Sequence, residues 1–161
     1  MKYLLDTHTW VWWYMHPENL SSRVMDLIGN TKRYDELLLS AISPWEFCKL
    51  LEKGRIAISC DPEEWLNAAF DLPKLRLVHL SPLLAYRSTV LPQPFHNDPA
   101  DQIIVATARQ EDAVILTKDE KSWNMSMRGA SGKPFIPDLP SMQCLSLLPR
   151  CSERLKPGKS S

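Results

Sequence analysis

The sequence has no apolar run long enough to cross a membrane. Its longest apolar stretches are residues 11–15 and 103–106, whereas a membrane-spanning helix needs about 20 apolar residues. The N-terminal residues also lack a signal-peptide pattern, because Asp6 interrupts the short apolar stretch that follows Lys2. We therefore expect a cytoplasmic protein with no membrane association.

Cysteine pairs at zinc-binding spacing are missing as well. The four cysteines, Cys48, Cys60, Cys144 and Cys151, form no C-x-x-C pair, so the usual pattern of a zinc site is absent. In a reducing compartment we expect free thiols, with Cys48 as a small residue of the core.

The chain also lacks a net charge. It contains 19 basic and 19 acidic residues, so its composition does not indicate a strongly basic nucleic-acid-binding protein. The balance does not exclude such a partner, because a site built from several carboxylates can cancel a basic rim in the total count.

Short apolar segments alternate with helical patterns along the chain. An α/β fold with a mostly parallel sheet between helices is the architecture that this alternation predicts. We expect one compact domain over residues 1–150 and a flexible tail at 151–161. Strands are predicted at residues 2–5, 37–40, 75–80, 113–116 and 144–148, a short extended piece at 55–59, and irregular structure at 124–140.

Several acidic residues stand where predicted strands end or helices begin. Asp6 directly follows the first strand, and Asp119 follows a later strand after two residues. Glu46 and Asp101 fall in the first turns of predicted helices, and Asp98 lies just before one. Because the carboxyl ends of parallel strands share one edge, these acids are expected to converge there.

Each acid also has an ordinary structural explanation. Glu46 could complete a capping box with Ser43, which would then be the N-cap before Pro44. Asp98 and Asp101 could cap a helix and favour its dipole. Asp6 and Asp119 could be turn residues. Together, however, clustered carboxylates are costly without a cation. Oxygen ligands suit Mg²⁺ or Mn²⁺, and such a site points to phosphodiester hydrolysis.

Four segments, in this order, resemble PIN-domain ribonucleases, and most of all the VapC-like toxins of toxin–antitoxin pairs. The resemblance spans roughly residues 1–150, and its order and spacing make it specific. The segments are Tyr3-Leu4-Leu5-Asp6-Thr7-His8-Thr9-Trp10, Ser43-Pro44-Trp45-Glu46 with Lys49, His96-Asn97-Asp98-Pro99-Ala100-Asp101-Gln102-Ile103-Ile104-Val105-Ala106, and Leu116-Thr117-Lys118-Asp119.

This resemblance implies a three-layer α/β/α fold, Mg²⁺ or Mn²⁺ dependence and an RNA substrate. It also implies a homodimer and a small antitoxin that wraps the toxin. Asn97 and Gln102 depart from the basic residues common in this subgroup. Asp6, Glu46, Asp101 and Asp119 take the metal positions, Asp98 matches an additional acid, and Thr7, Lys49, His96 and Thr117 are candidates for support of the site or RNA contact.

Two other functions remain open. The chain could be a catalytically inert binding module with the same fold. It could also be a phosphatase with Asp6 as nucleophile, although such enzymes carry a second Asp two residues later, where this sequence has His8. Among the tryptophans, Trp45 and Trp65 are expected in the core. Trp10, Trp12 and Trp13 are expected in the core or an interface, and an exposed one of these three could instead stack on a base.

Overall fold

The computed structural model describes residues 1–30, 36–72, 74–92 and 98–117, together with the backbone of 136–137. Within these residues one five-stranded sheet has the strand order β3-β2-β1-β4-β5, and every pair is parallel. The predicted parallel sheet is therefore confirmed. The strands are β1 (Lys2–Leu5), β2 (Glu36–Ser40), β3 (Leu75–Val78), β4 (Val114–Thr117) and β5 (Ile136–Pro137).

Helices connect the strands, and several begin at residues that suit the N-cap position. Ser21, Asp61, Ser81 and Asp98 each accept hydrogen bonds from backbone N–H groups of the following first turn, which satisfies donors that a helix leaves unpaired. A short 3₁₀ helix, Pro17–Asn19, follows the first α-helix. The α-helices are α1 (Thr7–Met15), α2 (Ser22–Gly29), α3 (Ile42–Glu52), α4 (Pro62–Phe70), α5 (Pro82–Thr89) and α6 (Pro99–Glu111).

The three central strands bury both of their faces. Leu4 lies beside Leu38 and Ile115 in register, and all three belong to the core beneath α5 and α6. Their neighbours Leu5 and Leu39 point the other way, into the core covered by α1, α2 and α4. Since side chains alternate along a strand, this double burial explains the continuous apolar segments and confirms the three-layer architecture.

Aromatic rings fill much of the first of these cores. Phe47 and Trp65 stack with ring centroids 3.9 Å apart, and Trp10 meets Trp65 edge-on at 5.3 Å. Trp10 and Trp65 are almost fully buried, so the expected core position of Trp65 is confirmed. The same expectation for Trp45 is wrong, because 55% of that residue is exposed.

The start of α3 differs from the prediction. Ser43 is not the N-cap; the helix begins at Ile42, after Ala41, and Ser43 is buried inside its first turn. Ala41 donates its N–H to the carbonyl of Val78 at 3.0 Å, so contact with β3 fixes where the chain enters the helix. Cys48, expected in the core, is exposed on the outer face of α3.

Two other segments differ from the prediction. Residues 55–59 form no strand; they follow Gly54, whose positive φ of 63° ends the helical path. Within the stretch 124–140, predicted to be irregular, Ile136–Pro137 pairs with β4 as a short strand. Four predicted features lie outside the described residues: the strand at 144–148, Cys144, Cys151 and the tail at 151–161.

In the described part, no helix is both long and apolar enough to span a bilayer.

Candidate active site

The candidate active site lies where β1 and β4 end side by side. The backbone N–H of Asp6, the first residue after β1, donates to the carbonyl of Leu116 at 3.0 Å. This bond extends the parallel ladder to the acid itself. Thr117 is the last residue of β4 and is fully buried. The sheet therefore fixes Asp6 and Thr117 opposite each other at its carboxyl edge.

Asp6 is a buried carboxylate with a hydrogen bond to each oxygen. Only 6% of the residue is exposed. Oδ1 accepts the backbone N–H of Thr7 at 2.7 Å, and Oδ2 accepts the hydroxyl of Thr117 at 2.7 Å. The first of these bonds also makes Asp6 the N-cap of α1. Short bonds to an ionised acceptor are among the stronger hydrogen bonds in proteins, so the orientation of this carboxylate is well defined.

Glu46 reaches the same place from the first half of α3. The hydroxyl of Thr7 donates to Glu46 Oε2 at 2.6 Å. Thr7 consequently contacts both acids, with its backbone N–H on Asp6 and its side chain on Glu46. The capping-box explanation of Glu46 is wrong, because α3 begins after Ala41 without any side-chain cap.

The pKa of the Glu46 carboxyl reflects its burial and the charges around it. Burial raises the pKa of the Glu46 carboxyl above its usual range, and the charges of Asp6 and Asp98 raise it further. The hydrogen bond from Thr7 and the nearby His8 act in the opposite direction, and the net direction is upward. Asp6 and Asp98, which come from separate segments of the chain, thus both act on Glu46 at this edge of the sheet.

Asp98 and Asp101 lie at the start of α6. Asp98 is the N-cap, and its Oδ1 accepts the N–H groups of Ala100 at 2.9 Å and of Asp101 at 3.4 Å. The predicted cap is therefore present, and Asp98 is also close enough to influence Glu46 electrostatically. Asp101 is half-buried in the first turn.

The rest of the predicted site is not brought together in the described residues. Asp119 and His96 lie outside them. Within the described ranges, no three His, Cys, Asp or Glu side chains form a group that could hold a metal ion by themselves. Lys49 donates to Glu52 at 2.6 Å rather than to the acids. The described part of the site is thus an Asp6–Thr7–Glu46 centre with Asp98 close to Glu46 and Asp101 in the first turn of α6.

Ser40 and Thr107 form a hydroxyl contact that supports the site, and the sequence alone did not predict it. Ser40, the last residue of β2, lies 3.2 Å from Thr107 through their hydroxyl oxygens, and Thr107 donates to the carbonyl of Ile103 at 2.7 Å. Both hydroxyl residues are buried. This contact ties α6, the helix that carries Asp101, to the sheet. A serine at the carboxyl end of an apolar strand was the only signal available for it.

A cleft of about 310 Å³ lies away from the acids, beside α5 and α6. Arg87, Val90 and Arg109 are among its lining residues, and none of the predicted acids is. The chemistry of the candidate site therefore depends on the carboxylates at the sheet edge and not on this cleft.

The parallel sheet and the acids at its carboxyl edge are those of a PIN-type α/β/α domain. The sequence profile of the PIN domain family matches residues 3–124. The chain belongs to the PIN domain family.

A named relative matches most of the chain. The chain is 35% identical to Ribonuclease VapC22 of Mycobacterium tuberculosis over 118 residues, which are 73% of this chain and 87% of the relative.

Two solved structures have the same fold. VapBC-1 from nontypeable Haemophilus influenzae matches with a TM-score of 0.56 and 19% identity, over 77% of this chain and 91% of that one. VapBC2 from Rickettsia felis, bound to a DNA fragment from its promoter, matches with a TM-score of 0.53 and 19% identity, over 78% and 96%. At this level of identity the likeness concerns the fold.

The raised pKa of Glu46 predicts a pH-dependent effect of Glu46→Gln on stability. A carboxyl whose pKa is raised by folding destabilises the fold once pH exceeds its unfolded pKa of about 4.3, because folding then buries a charge. Glutamine carries no charge and still offers an acceptor to Thr7. Without divalent cations, the variant should unfold at a higher temperature than wild type at neutral pH, and this gain should shrink at acidic pH.

Glu52→Gln on the same helix is the matched control. Lys49 lowers the pKa of Glu52 through a hydrogen bond and its charge, so that variant should show no gain in stability at neutral pH. Thermal unfolding monitored by circular dichroism between pH 4 and pH 8 measures both. A loss of stability in Glu46→Gln that is equal across this range would contradict the account.

Proposed function

We propose that the chain is a divalent-metal-dependent endoribonuclease that hydrolyses RNA phosphodiester bonds. The observation that carries this proposal is the pair of carboxylates, Asp6 and Glu46, joined through Thr7 at the carboxyl edge of a PIN fold. The name of the relative VapC22, a ribonuclease, supports the same activity. The two neighbouring acids of α6 add negative charge that a cation would balance.

The chemistry of these residues fits a hard divalent cation. Carboxylate oxygens are the ligands that Mg²⁺ and Mn²⁺ prefer. The charges of Asp6 and Asp98 already oppose ionisation of Glu46, and a bound cation would relieve this repulsion. Such an ion supplies Lewis-acid chemistry, by stabilising charge on the phosphate and making water more acidic. Its proposed ligands are Asp6, Glu46, Asp98, Asp101 and Asp119.

The side chains of this chain have separate tasks in the proposed reaction. Thr117 and the backbone of Thr7 hold the Asp6 carboxylate in one orientation. Thr7 holds Glu46 through Oε2, which leaves Oε1 available to a cation or to the proton of the attacking water. Hydrolysis adds water across one P–O bond, so that proton must pass to a base, and a carboxyl with a raised pKa accepts it more readily. Lys49 and His96 are proposed to contact RNA phosphates.

Removing one carboxylate should abolish cleavage while the fold survives. Asp6→Asn and Glu46→Gln each remove a charge that the proposed reaction needs, so we expect cleavage rates to fall by about 100-fold or more. Excess chelator should lower the cleavage rate of wild type in the same way, and added Mg²⁺ or Mn²⁺ should restore that rate. The assay uses a panel of single-stranded and structured RNAs, with circular dichroism to establish folding.

Asp26→Asn is the control for this assay. Asp26 is an exposed acid on α2, and its replacement should leave the rate unchanged. Wild-type cleavage that persists in Asp6→Asn would contradict the carboxylate mechanism. A folded wild type that cleaves no RNA would favour the alternative of an inert binding module.

We further propose that the chain is the toxin of a toxin–antitoxin pair and that a small antitoxin binds it. Two solved structures with this fold are named VapBC2 and VapBC-1, and one structural neighbour from Klebsiella pneumoniae is named a toxin–antitoxin complex. The relative VapC22, at 35% identity, is named a ribonuclease, which fits the enzymatic half of such a pair. The cytoplasmic location expected from the sequence stays a prediction.

An exposed apolar stripe formed by α5 and by Val90, the residue directly after it, supports the proposed homodimer. Leu83, Tyr86 and Val90 are 53%, 62% and 56% exposed. Their spacing of three and four residues places them on one side of the helix. Large apolar side chains grouped on a surface commonly mark a protein interface, and a twofold axis would bring two copies of this stripe together.

Light scattering after size exclusion tests both partner proposals. The purified chain alone should have twice the mass of the 18.5 kDa monomer. Tyr86→Glu places a charge in the stripe and should shift the mass towards one copy, whereas Arg23→Glu, at an exposed position of α2, should not. Co-expressed antitoxin should increase the mass and suppress cleavage. A chain that stays monomeric at all concentrations would overturn the dimer, and a complex with full activity would overturn inhibition by the antitoxin.

A further inference from the structure

Trp45 is exposed directly beside the candidate site. It precedes Glu46 in the first turns of α3, and 55% of its surface is open to solvent. Trp10 and Trp65, in contrast, are almost fully buried. Trp45 belongs to neither hydrophobic cluster of the described residues, so its indole ring contributes little to the core that these clusters form.

Lys49 accompanies this ring one helical turn later. Its Nζ lies 5.9 Å from the centre of the Trp45 ring, within the range of a cation–π contact. The same amino group donates to the exposed Glu52 at 2.6 Å, a contact that is weak in water and readily exchanged. The outer face of α3 therefore presents an aromatic ring and a positive charge on the same helix that carries Glu46.

The chemistry of this pair matches one nucleotide. An aromatic side chain stacks on the face of any base, and a lysine amino group pairs with a phosphate. Stacking of an uncharged base is also compatible with the nearby acids, which would repel an uncompensated phosphate. A base inside an A-form helix is already stacked on its neighbours, so only an unpaired base can turn outward onto the indole.

We propose that Trp45 is a stacking platform for one unpaired base next to the scissile phosphate, with Lys49 binding an adjacent phosphate. This inference rests on the proposed nuclease function and adds the two side chains that hold one nucleotide of the RNA beside the cut. Trp45 is in this view a binding residue that positions the RNA, while the acids carry out the reaction.

Trp45→Leu and Trp45→Phe separate stacking from simple apolar contact. Leucine keeps an apolar side chain but has no ring, so KM for a cleaved RNA should rise about tenfold. Phenylalanine keeps a ring and should stay within about threefold of wild type. When single nucleotides near the cut are replaced by abasic ones, KM of wild type should rise about tenfold at one position. Trp45→Leu should lose nothing further at that position, because the contact is already missing.

Binding to RNA in excess chelator provides a readout that does not need cleavage. The probe is a fluorescein-labelled single-stranded RNA of mixed sequence, compared with the same RNA in a duplex. Wild type should prefer the single strand in fluorescence anisotropy, and Trp45→Leu should lose that preference while its circular dichroism spectrum is unchanged.

The outcomes distinguish this inference from the proposed function. If wild type cleaves RNA and Trp45→Leu cleaves it with the same KM and the same sensitivity to abasic sites, the stacking platform would be overturned. The proposed nuclease function would then stand. A Trp45→Leu variant that alters only the mass of the assembly would also overturn the platform, because Trp45 would then be a protein contact. If wild type cleaves no RNA, the nuclease proposal fails, and equal binding of wild type and Trp45→Leu to the single strand would overturn the platform independently.

Discussion

The hydrogen bonds of Thr7 join two carboxylates that would otherwise repel each other. Its backbone N–H binds Asp6 and its hydroxyl binds Glu46, so a single residue sets the distance between the two acids. Thr117 completes the arrangement from the neighbouring strand. The positions of α1, α3 and β4 around β1 all contribute to these contacts. Any shift of one element would leave a buried carboxylate without its donor, at a cost of about 1–3 kcal/mol or more.

The fold bears the cost of this polar edge through its apolar layers. A fully buried leucine stabilises a protein by roughly 1.5–3 kcal/mol relative to an exposed one. Leu4, Leu5, Leu38 and Leu39 are all fully buried in β1 and β2, two of the three central strands. The aromatic cluster around Trp10 and Trp65 adds to one side. A functional site that is unfavourable by itself can therefore persist at the carboxyl edge of a well-packed sheet.

Much of the site is visible in the sequence because its signals are local. An acid after an apolar strand identifies Asp6, and the Asp98-Pro99 pair at a helix start identifies the cap of α6. Thr7 was singled out, but its bridging role depends on α3 approaching β1, which no local pattern encodes. The wrong N-cap at Ser43 has the same origin, since the entry into α3 depends on the contact between Ala41 and β3.

The sequence alone could not predict which side of α3 is exposed or that the shortest strand, β5, exists. Trp45 and Cys48 have residue types typical of a core, and only the packing of α3 decides that this side of the helix faces solvent. Ile136–Pro137 is too short to show any periodicity, and its pairing with β4 is a contact between distant parts of the chain. Both cases follow from tertiary structure, which overrides local preference.

Calorimetric titration of the full chain with Mn²⁺ tests the central claim most directly. The account predicts saturable binding by wild type, a large loss in Asp6→Asn and in Glu46→Gln, and no change in Asp26→Asn. Binding should also weaken as pH falls through the raised pKa of Glu46, because protons then compete with the cation. Absence of Mn²⁺ binding by the folded wild type, or equal binding by Asp6→Asn, would contradict a metal site at these carboxylates.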